Sequence, residues 1–457
     1  MGNKLLQPID ILVAPLVLLV IILLGALIVQ RDRKALGAKF VQFFWIALAA
    51  RLLASITRIL ITDYIVPSWG VDTKTYVLFA GRMVEHFFVD PTTTLEIILT
   101  SYDDYSVAAQ QLTGHYFWEN LRTSIIIRIG FFLYAITAGS YLGISFLCTF
   151  LAFIGSWLLY KTFYQVYPQY GKIMAIACLF LPTVVFYSTN LFKDPFCILG
   201  LGLACYYSFQ IHRFGSSIVG WSMLLFGMVI LGLIKAYILF AFLLAFGVYW
   251  FAALDVPLRA GIMKKFAKTA IIVLGLLLLI GGVVGFLNLG LDRYNPASIA
   301  LRLEYLISGN RGDETGSGYA LPVISLTPAG FFYFLFSAFN VSLFRPYPWE
   351  VNGVGPLILF FESFPTLIVT TLLLLRTAVI NFFVQIFRDP VLLFCFTFAF
   401  IFLTITGAFS PTFGALCRYK IPGFPLFVIV LGVVAARYYE AEKRQQSNRA
   451  RINTNPT

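Results

Sequence analysis

Residues 11–29 pass without a single charged side chain, and comparable apolar runs recur to the far end of the chain. A helix that crosses bilayer hydrocarbon needs about 20 mostly apolar residues. It must also satisfy its own backbone polar groups, since lipid offers them no partner. Such runs lie near 9–30, 40–61, 140–162, 171–190, 195–212, 218–234, 236–254, 269–288, 353–375, 390–409 and 421–439. Composition agrees: 60% of the 457 residues are hydrophobic, only 12% are charged, and the mean hydropathy is +0.86. A soluble domain is about 45–50% apolar and about 25% charged. The expected fold is all-α, a polytopic transmembrane helix bundle of about 11 spans. Two shorter runs, 123–138 and 328–343, read as interfacial or re-entrant helices in long loops.

An odd number of spans puts the two ends on opposite sides, and the bias of lysine and arginine toward the cytoplasm selects which. With the C-terminus cytoplasmic and the N-terminus outside, the inner segments hold Arg31, Arg33, Lys34, Lys39, Lys161, Lys172, Arg213, Arg259, Lys264, Lys265, Lys268, Arg376, Arg388, Arg437, Lys443, Arg444, Arg449 and Arg451. Only five acidic residues (Asp32, Asp255, Asp389, Glu440, Glu442) accompany them, so the net charge of +12 is an inner excess over a nearly neutral outer side. It reports orientation, and no nucleic-acid partner is expected. The inner connections are short, whereas the outer face carries two long segments, 62–139 and 289–352.

Several classes drop out. The six cysteines lie in or beside apolar runs and form no C-x-x-C pair, so neither a disulfide framework nor a zinc site is expected. The opening Met-Gly-Asn-Lys-Leu-Leu fails the myristoylation pattern at its sixth position. The first apolar run is too long for a signal peptide and is followed by Arg31-Asp32-Arg33-Lys34 instead of small residues. No Walker-type phosphate loop occurs. His86, His115 and His212 all lie outside the spans, which argues against acyl transfer by an intramembrane histidine. Any chemistry belongs to the outer segments.

In the first of these, Thr73 onward has helical periodicity, with Val77, Ala80, Val84 and Phe87 against Lys74, Arg82 and Glu85. A short amphipathic helix of this kind suits the membrane surface. Asp72 would be its N-cap, and a carboxylate held there is also placed to act as a general base on an acceptor hydroxyl.

An aspartate shortly after an early span, followed by Asp72-x-x-x-Tyr76-x-x-x-Ala80, resembles the first outer loop of GT-C glycosyltransferases, integral-membrane enzymes that take sugars from polyprenyl-phosphate carriers. The resemblance extends to architecture. Residues 1–39 would be an extra leading helix and cytoplasmic turn, which departs from the family. Residues 40–288 would be a seven-helix module with its long first loop, and 289–352 a second long loop with a re-entrant segment. Three closing spans (353–439) and a basic cytoplasmic tail (440–457) complete the division. Three further stretches are similar to segments of bacterial envelope-polysaccharide membrane proteins: 186–194, 345–350 (Arg-Pro-Tyr-Pro-Trp-Glu) and 417–422 (Cys-Arg-Tyr-Lys-Ile-Pro).

The resemblance implies that Asp72 is the catalytic base and that the leaving group is a lipid phosphate. It implies a bacterial inner membrane with the site on its outer face, a polyprenyl-phosphate-linked sugar as donor, and a glycan, lipid or protein as acceptor. The departing phosphate needs positive charge near it, and Lys193, Lys235, Arg345, Arg418 and Lys420 sit at outer helix ends. Arg345 is the preferred ligand, because Pro346 and Pro348 stiffen its segment and a guanidinium binds phosphate bidentately. Tyr76 and Glu350, inside the quoted motifs, join the substrate-binding set. Each cation has a plainer alternative, which is snorkelling to water. Asp194 would either form a salt bridge or serve as a second catalytic carboxylate.

Arg51 and Arg58 share one face of the second span. Arg58 is close enough to its end to snorkel, while Arg51 faces the bundle interior. Arg128 has the same ambiguity. No cofactor is required, although a divalent cation is compatible with the acidic Glu96, Asp103 and Asp104, which equally read as a solvated loop. Trp69, Trp118 and Trp349 fit an interfacial belt as well as a sugar platform. Two rival readings remain. One is a polysaccharide polymerase relying on Arg302, Arg311 and Arg345. The other is a lipid or glycan transporter, for which the sequence offers no internal repeat.

Overall fold

The computed structural model describes residues 5–66, 71–99, 112, 121–215, 217–253, 318–319, 321–322, 327–410 and 412–454. Among them the chain is helical, with no strand and one isolated bridge, Gly318 to Thr412. Seven helices are long and apolar enough to cross a membrane: Asp10–Leu36, Ala38–Ile65, Tyr141–Val166, Ile218–Ala253, Val354–Thr377, Pro390–Phe409 and Phe424–Ser447. The protein is a multi-pass integral membrane protein. It divides into two compact units, residues 1–171 with 178–236, and residues 172–177 with 237–457.

The first unit contains α1 (Asp10–Leu36), α2 (Phe44–Leu60), α3 (Val71–Phe87), α4 (Pro91–Leu99), α5 (Leu121–Ile136), α6 (Tyr141–Val166), α7 (Pro182–Tyr187), α8 (Lys193–Phe214) and the start of α9 (Ile218–Ala253). Helix α1 is apolar all round. It leaves Leu12, Leu16, Leu23 and Leu27 more than half exposed, a surface suited to lipid. Its two carboxylates mark its ends. Asp10 accepts from Ser140 Oγ (2.6 Å) and the Leu142 amide (2.9 Å), while Asp32 accepts from Trp157 Nε1 (2.8 Å) and Lys161 Nζ (2.5 Å). Start meets start and end meets end, so α1 and α6 run parallel.

Helix α2 runs back against them. Phe44 packs on Phe153 and Trp157 at ring distances of 4.9 and 4.8 Å, and Ile59 packs with Tyr141 and Leu5. Helix α8 follows α6 so closely that a Cβ on Gly202 would lie 2.1 Å from the Gly155 carbonyl oxygen. Lower down, Gln210 donates to Gln165 at 2.8 Å. The first half of α9 returns along α8, bringing Gly227 against Gly200 and Lys235 to Asp194. One end of this unit therefore gathers Asp10, Asp63, Lys193, Asp194 and Lys235; the other holds Asp32, Lys161, Gln165 and Gln210.

The expected span 171–190 takes a different form. It is a sequence of short pieces: an α-turn Gly171–Ala175, a π-turn Ile176–Phe180, and α7. Pro182 lacks an amide and forces Leu181 out of the helical region (φ −61°, ψ 126°), which ends one helix and starts the next. The run 195–212 forms inside α8, which is not among the seven crossing candidates. The runs 218–234 and 236–254 are joined in one helical stretch, α9, interrupted only at Lys235 (φ −145°, ψ 78°). The break expected at Lys235 is present as this kink, and the side chain there is paired with Asp194. The run 269–288 lies outside the described residues, as do the basic segment 255–268, Trp69, Asp103, Asp104, His115, Trp118, Arg302 and Arg311. The two shorter runs are helical as α5 and, in the second unit, α10 (Pro328–Phe344).

The second unit continues with α11 (Val354–Thr377), α12 (Val379–Arg388), α13 (Pro390–Phe409), α14 (Phe413–Tyr419) and α15 (Phe424–Thr454). On α13, Phe394, Phe398 and Phe402 recur every fourth residue and are fully buried, with Tyr237 and Phe242 packed on them. Small residues allow close approach of α10 and α13, because a Cβ on Gly407 would meet the Ala338 carbonyl oxygen at 2.0 Å. Helix α12 is short and amphipathic, burying Phe382 and Ile386 and exposing Ile380 and Phe387.

Candidate functional site

Helix α3 begins at Val71, two residues before its apolar periodicity, so Asp72 occupies the first turn and is not the N-cap. The electrostatics still favour it, since a negative charge there meets the positive end of the helix dipole. Asp72 is exposed, Tyr76 one turn later is buried, and Thr73 anchors the helix through a 2.9 Å hydrogen bond with the Tyr141 hydroxyl. Lys74 pairs with Asp63 at 3.1 Å, and the opposite oxygen of Asp63 accepts the Leu5 amide (2.9 Å).

At the start of α8, ahead of the apolar run, Lys193 is half-buried and donates to Thr123 Oγ1 of α5 at 3.0 Å. Asp194, next to it, is buried and accepts from Lys235 Nζ of α9 at 2.6 Å. Burial pushes the Lys193 ammonium down to about 8; Asp72 pulls it back up, Lys235 and Arg122 add to the lowering, and Asp194 opposes them. These five groups share one electrostatic neighbourhood drawn from α3, α5, α8 and α9. Asp194 and Lys235 neutralise each other, which leaves Lys193 and Arg122 beside the single carboxylate of Asp72. Two cations and a carboxylate thus lie within electrostatic reach of one another.

The segment leading into Lys193 is held by α2. Arg51, fully buried, donates to Ser188 Oγ and Ser156 Oγ at 2.8 Å each, as expected for an arginine facing the bundle interior. Arg58 does not snorkel. It is buried, donates to the carbonyls of Tyr187 and Thr189 at 3.0 Å each, and lies 4.0 Å over the Phe192 ring. A helix that ends inside the protein leaves carbonyls without partners, and α7 supplies them to this guanidinium in place of water. Arg128, on α5, is half-buried.

The remaining residues of the expected set belong to the second unit. Arg345 follows α10 and grips Glu350 across one turn: its Nε lies 3.1 Å from both carboxylate oxygens, and Nη2 contacts Oε1. Glu350 also accepts the Tyr347 amide at 2.8 Å. The rings of Phe413, Tyr319 and Tyr347 surround the guanidinium at 5.5 to 5.9 Å. The preferred phosphate ligand thus already holds an anion, and Glu350 acts in the structure as its partner. Lys420 is fully buried, donating to Ser363 Oγ at 2.9 Å, with Glu362 at 3.6 Å and the Phe424 ring at 3.8 Å. Arg418 is half-buried on α14. Trp349 is 79% exposed and packs on Tyr347.

No known family, curated protein or solved structure matches the chain. The site residues that sequence reasoning missed are Arg122 and Thr123, in the first turn of α5 where the apolar run begins, and Glu362, the one carboxylate inside α11. An ionisable residue inside a span is costly unless partnered, so Glu362 carried a readable signal; Arg122 carried none. Among the described residues, no group of three or more His, Cys, Asp or Glu is arranged to hold a metal ion.

Proposed function

We propose that this chain is a membrane glycosyltransferase that moves a sugar from a polyprenyl-phosphate carrier to a glycan, lipid or protein acceptor. The supporting observation is the neighbourhood of Lys193, where the Asp72 carboxylate and the Arg122 cation both act on the Lys193 ammonium at the charged end of a membrane bundle. In this reading the Asp72 carboxylate takes the acceptor hydroxyl proton as the oxygen attacks the anomeric carbon. The bond from that carbon to the carrier phosphate breaks, and its electron pair leaves on a phosphate oxygen facing Lys193 and Arg122. Tyr76, one helical turn below Asp72, shapes the site wall, and Asp194 holds Lys235. The finer topology belongs to the same proposal: eleven spans, N-terminus outside, C-terminus cytoplasmic, a bacterial inner membrane, and the site on its outer face.

The test is reconstitution in proteoliposomes with polyprenyl-phosphate sugars, reading release of lipid phosphate. Asp72→Asn is expected to lower the rate by about 10²- to 10⁴-fold, the usual worth of a general base, in protein that still purifies as a folded species. Full activity in Asp72→Asn removes the base. Solute flux without any glycan product would favour a transporter, and indifference to Asp72 with loss on substituting Arg345 would favour a polymerase.

A further inference from the structure

The turn 187–192 is an unusual object for the interior of a membrane bundle. Ser188, Thr189 and Asn190 follow one another, all are buried, and Asn190 adopts a left-handed backbone (φ +64°). Buried polar groups are costly unless hydrogen-bonded, and here most of the partners come from one helix face. Arg51, Ser55 and Arg58 are spaced by four and three residues, which places them above one another on α2. Arg51 donates to Ser188 Oγ, Ser55 Oγ donates to Asn190 Oδ1 at 2.6 Å, and Arg58 donates to the carbonyls of Tyr187 and Thr189. Helix α6 completes the grip, with Ser156 on Arg51 and Thr149 Oγ1 accepting the Asn190 amide at 3.4 Å. Two residues after Asn190, the Phe192 ring lies 4.0 Å from the Arg58 guanidinium, and Lys193 and Asp194 follow directly.

We propose that the Arg51, Ser55 and Arg58 face of α2 is a positioning element for the Asp72, Lys193, Asp194 and Lys235 charge cluster, acting through the buried turn 187–192. Their described contacts run to the turn and to α6. Each fixes the backbone from which Lys193 and Asp194 project, so loosening the turn lets the Lys193 ammonium swing toward water. The inference rests on reading that cluster as the substrate site, but its test needs no substrate.

The test is competitive acetylation of Lys193 by acetic anhydride across pH, read by mass spectrometry on the purified full-length protein. The groups facing Lys193 are Asp72 from α3, Arg122 from α5, Lys235 from α9 and its own neighbour Asp194, and all keep their charge in the variants. Wild type is expected to show a midpoint near 8. Ser55→Ala and Asn190→Gly are each expected to raise it by about one unit or more toward the ordinary lysine value of about 10.4. Glycine keeps the left-handed backbone without steric cost, so Asn190→Gly provides a folded variant should Ser55→Ala fail to fold. Thr57→Ala, on the exposed side of α2, is expected to leave the midpoint unchanged. An unmoved midpoint in monodisperse Ser55→Ala or Asn190→Gly protein, or an equal shift in Thr57→Ala, would overturn the proposal. Absence of lipid-phosphate release by wild type would defeat the glycosyltransferase reading while leaving the labelling result standing.

Discussion

Two lysines of the first unit behave differently because their surroundings differ. Lys235 has a buried carboxylate at 2.6 Å, whereas Lys193 has a hydroxyl at 3.0 Å and its nearest anions compete with two other cations. Removing one member of a buried ion pair strands the other, at a cost of about 3–5 kcal/mol. Lys235→Met is therefore expected to lower the thermal midpoint sharply. The double variant Lys235→Met with Asp194→Leu should recover much of the loss, and equal melting of the single and double variants would show that the pair is not coupled. For Lys193 the sign runs with protonation. Burial lowers its value to about 8, so the cation that would face a phosphate is present below that pH and lost above it. Transfer is expected to fall as pH rises through about 8, and in Lys193→Arg, which stays charged, that fall should disappear. Asp72, Lys193, Asp194 and Lys235 were readable in the sequence because charge at a span boundary stands out. Arg122 was not, since an arginine at the edge of an apolar run is indistinguishable from one that simply ends it.

Six of the seven long apolar helices were legible as single runs, and the seventh, Ile218–Ala253, as two runs meeting at its kink, because hydrophobic length is a local property of sequence. What escaped were the places where polar residues are satisfied by another helix. The run 171–190 looked continuous because Ser188, Thr189 and Asn190 are only mildly polar, and nothing local says that α2 supplies their partners. The pairing of Lys235 was hidden for the same reason, its Asp194 partner lying 41 positions away. The glycines of α6 and α8 are a third case, since their spacing means little until the two backbones are seen to meet. At Gly202 a Cβ would lie 2.1 Å from the Gly155 carbonyl oxygen, and at Gly155 it would lie 2.3 Å from the Ile198 carbonyl oxygen. Backbone atoms cannot rotate away, so the helices must separate. Gly202→Ala is expected to cost about 1–3 kcal/mol, the range for overpacking. Gly215→Ala serves as contrast: it has nothing within 4 Å, so its cost is confined to its positive φ of 91°. Melting both variants in one detergent checks the difference, and equal losses would mean that α6 and α8 are not in backbone contact.

At the scale of the whole molecule the open quantity is which end of the bundle faces the cytoplasm. The hydrogen bonds of the first unit fix relative direction: Asp10 and Asp32 tie α1 to the start and end of α6, so the Lys193 end and the Lys161 end are opposite ends. Absolute direction comes from charge, because lysine and arginine resist translocation. The basic residues Arg31, Arg33 and Lys34 cluster at the Lys161 end, and in the second unit the last turns of α15 carry Lys443, Arg444, Arg449 and Arg451. All six native cysteines are buried, and a buried thiol reacts poorly, so an introduced surface cysteine is a clean reporter. Val89 is 83% exposed, and Lys34 and Ser447 are exposed. A membrane-impermeant maleimide applied to intact cells is expected to label Val89→Cys and to leave Lys34→Cys and Ser447→Cys unlabelled until the cells are permeabilised. The reverse pattern would invert the molecule and move the Asp72 cluster to the cytoplasmic face, where a carrier-linked sugar could no longer be presented from outside. Labelling of Val89→Cys and Lys34→Cys from the same side would be more damaging, because α2 would then not cross at all. Labelling of Ser447→Cys from outside would mean an odd number of crossings between Lys34 and the end of α15, in place of the expected even number.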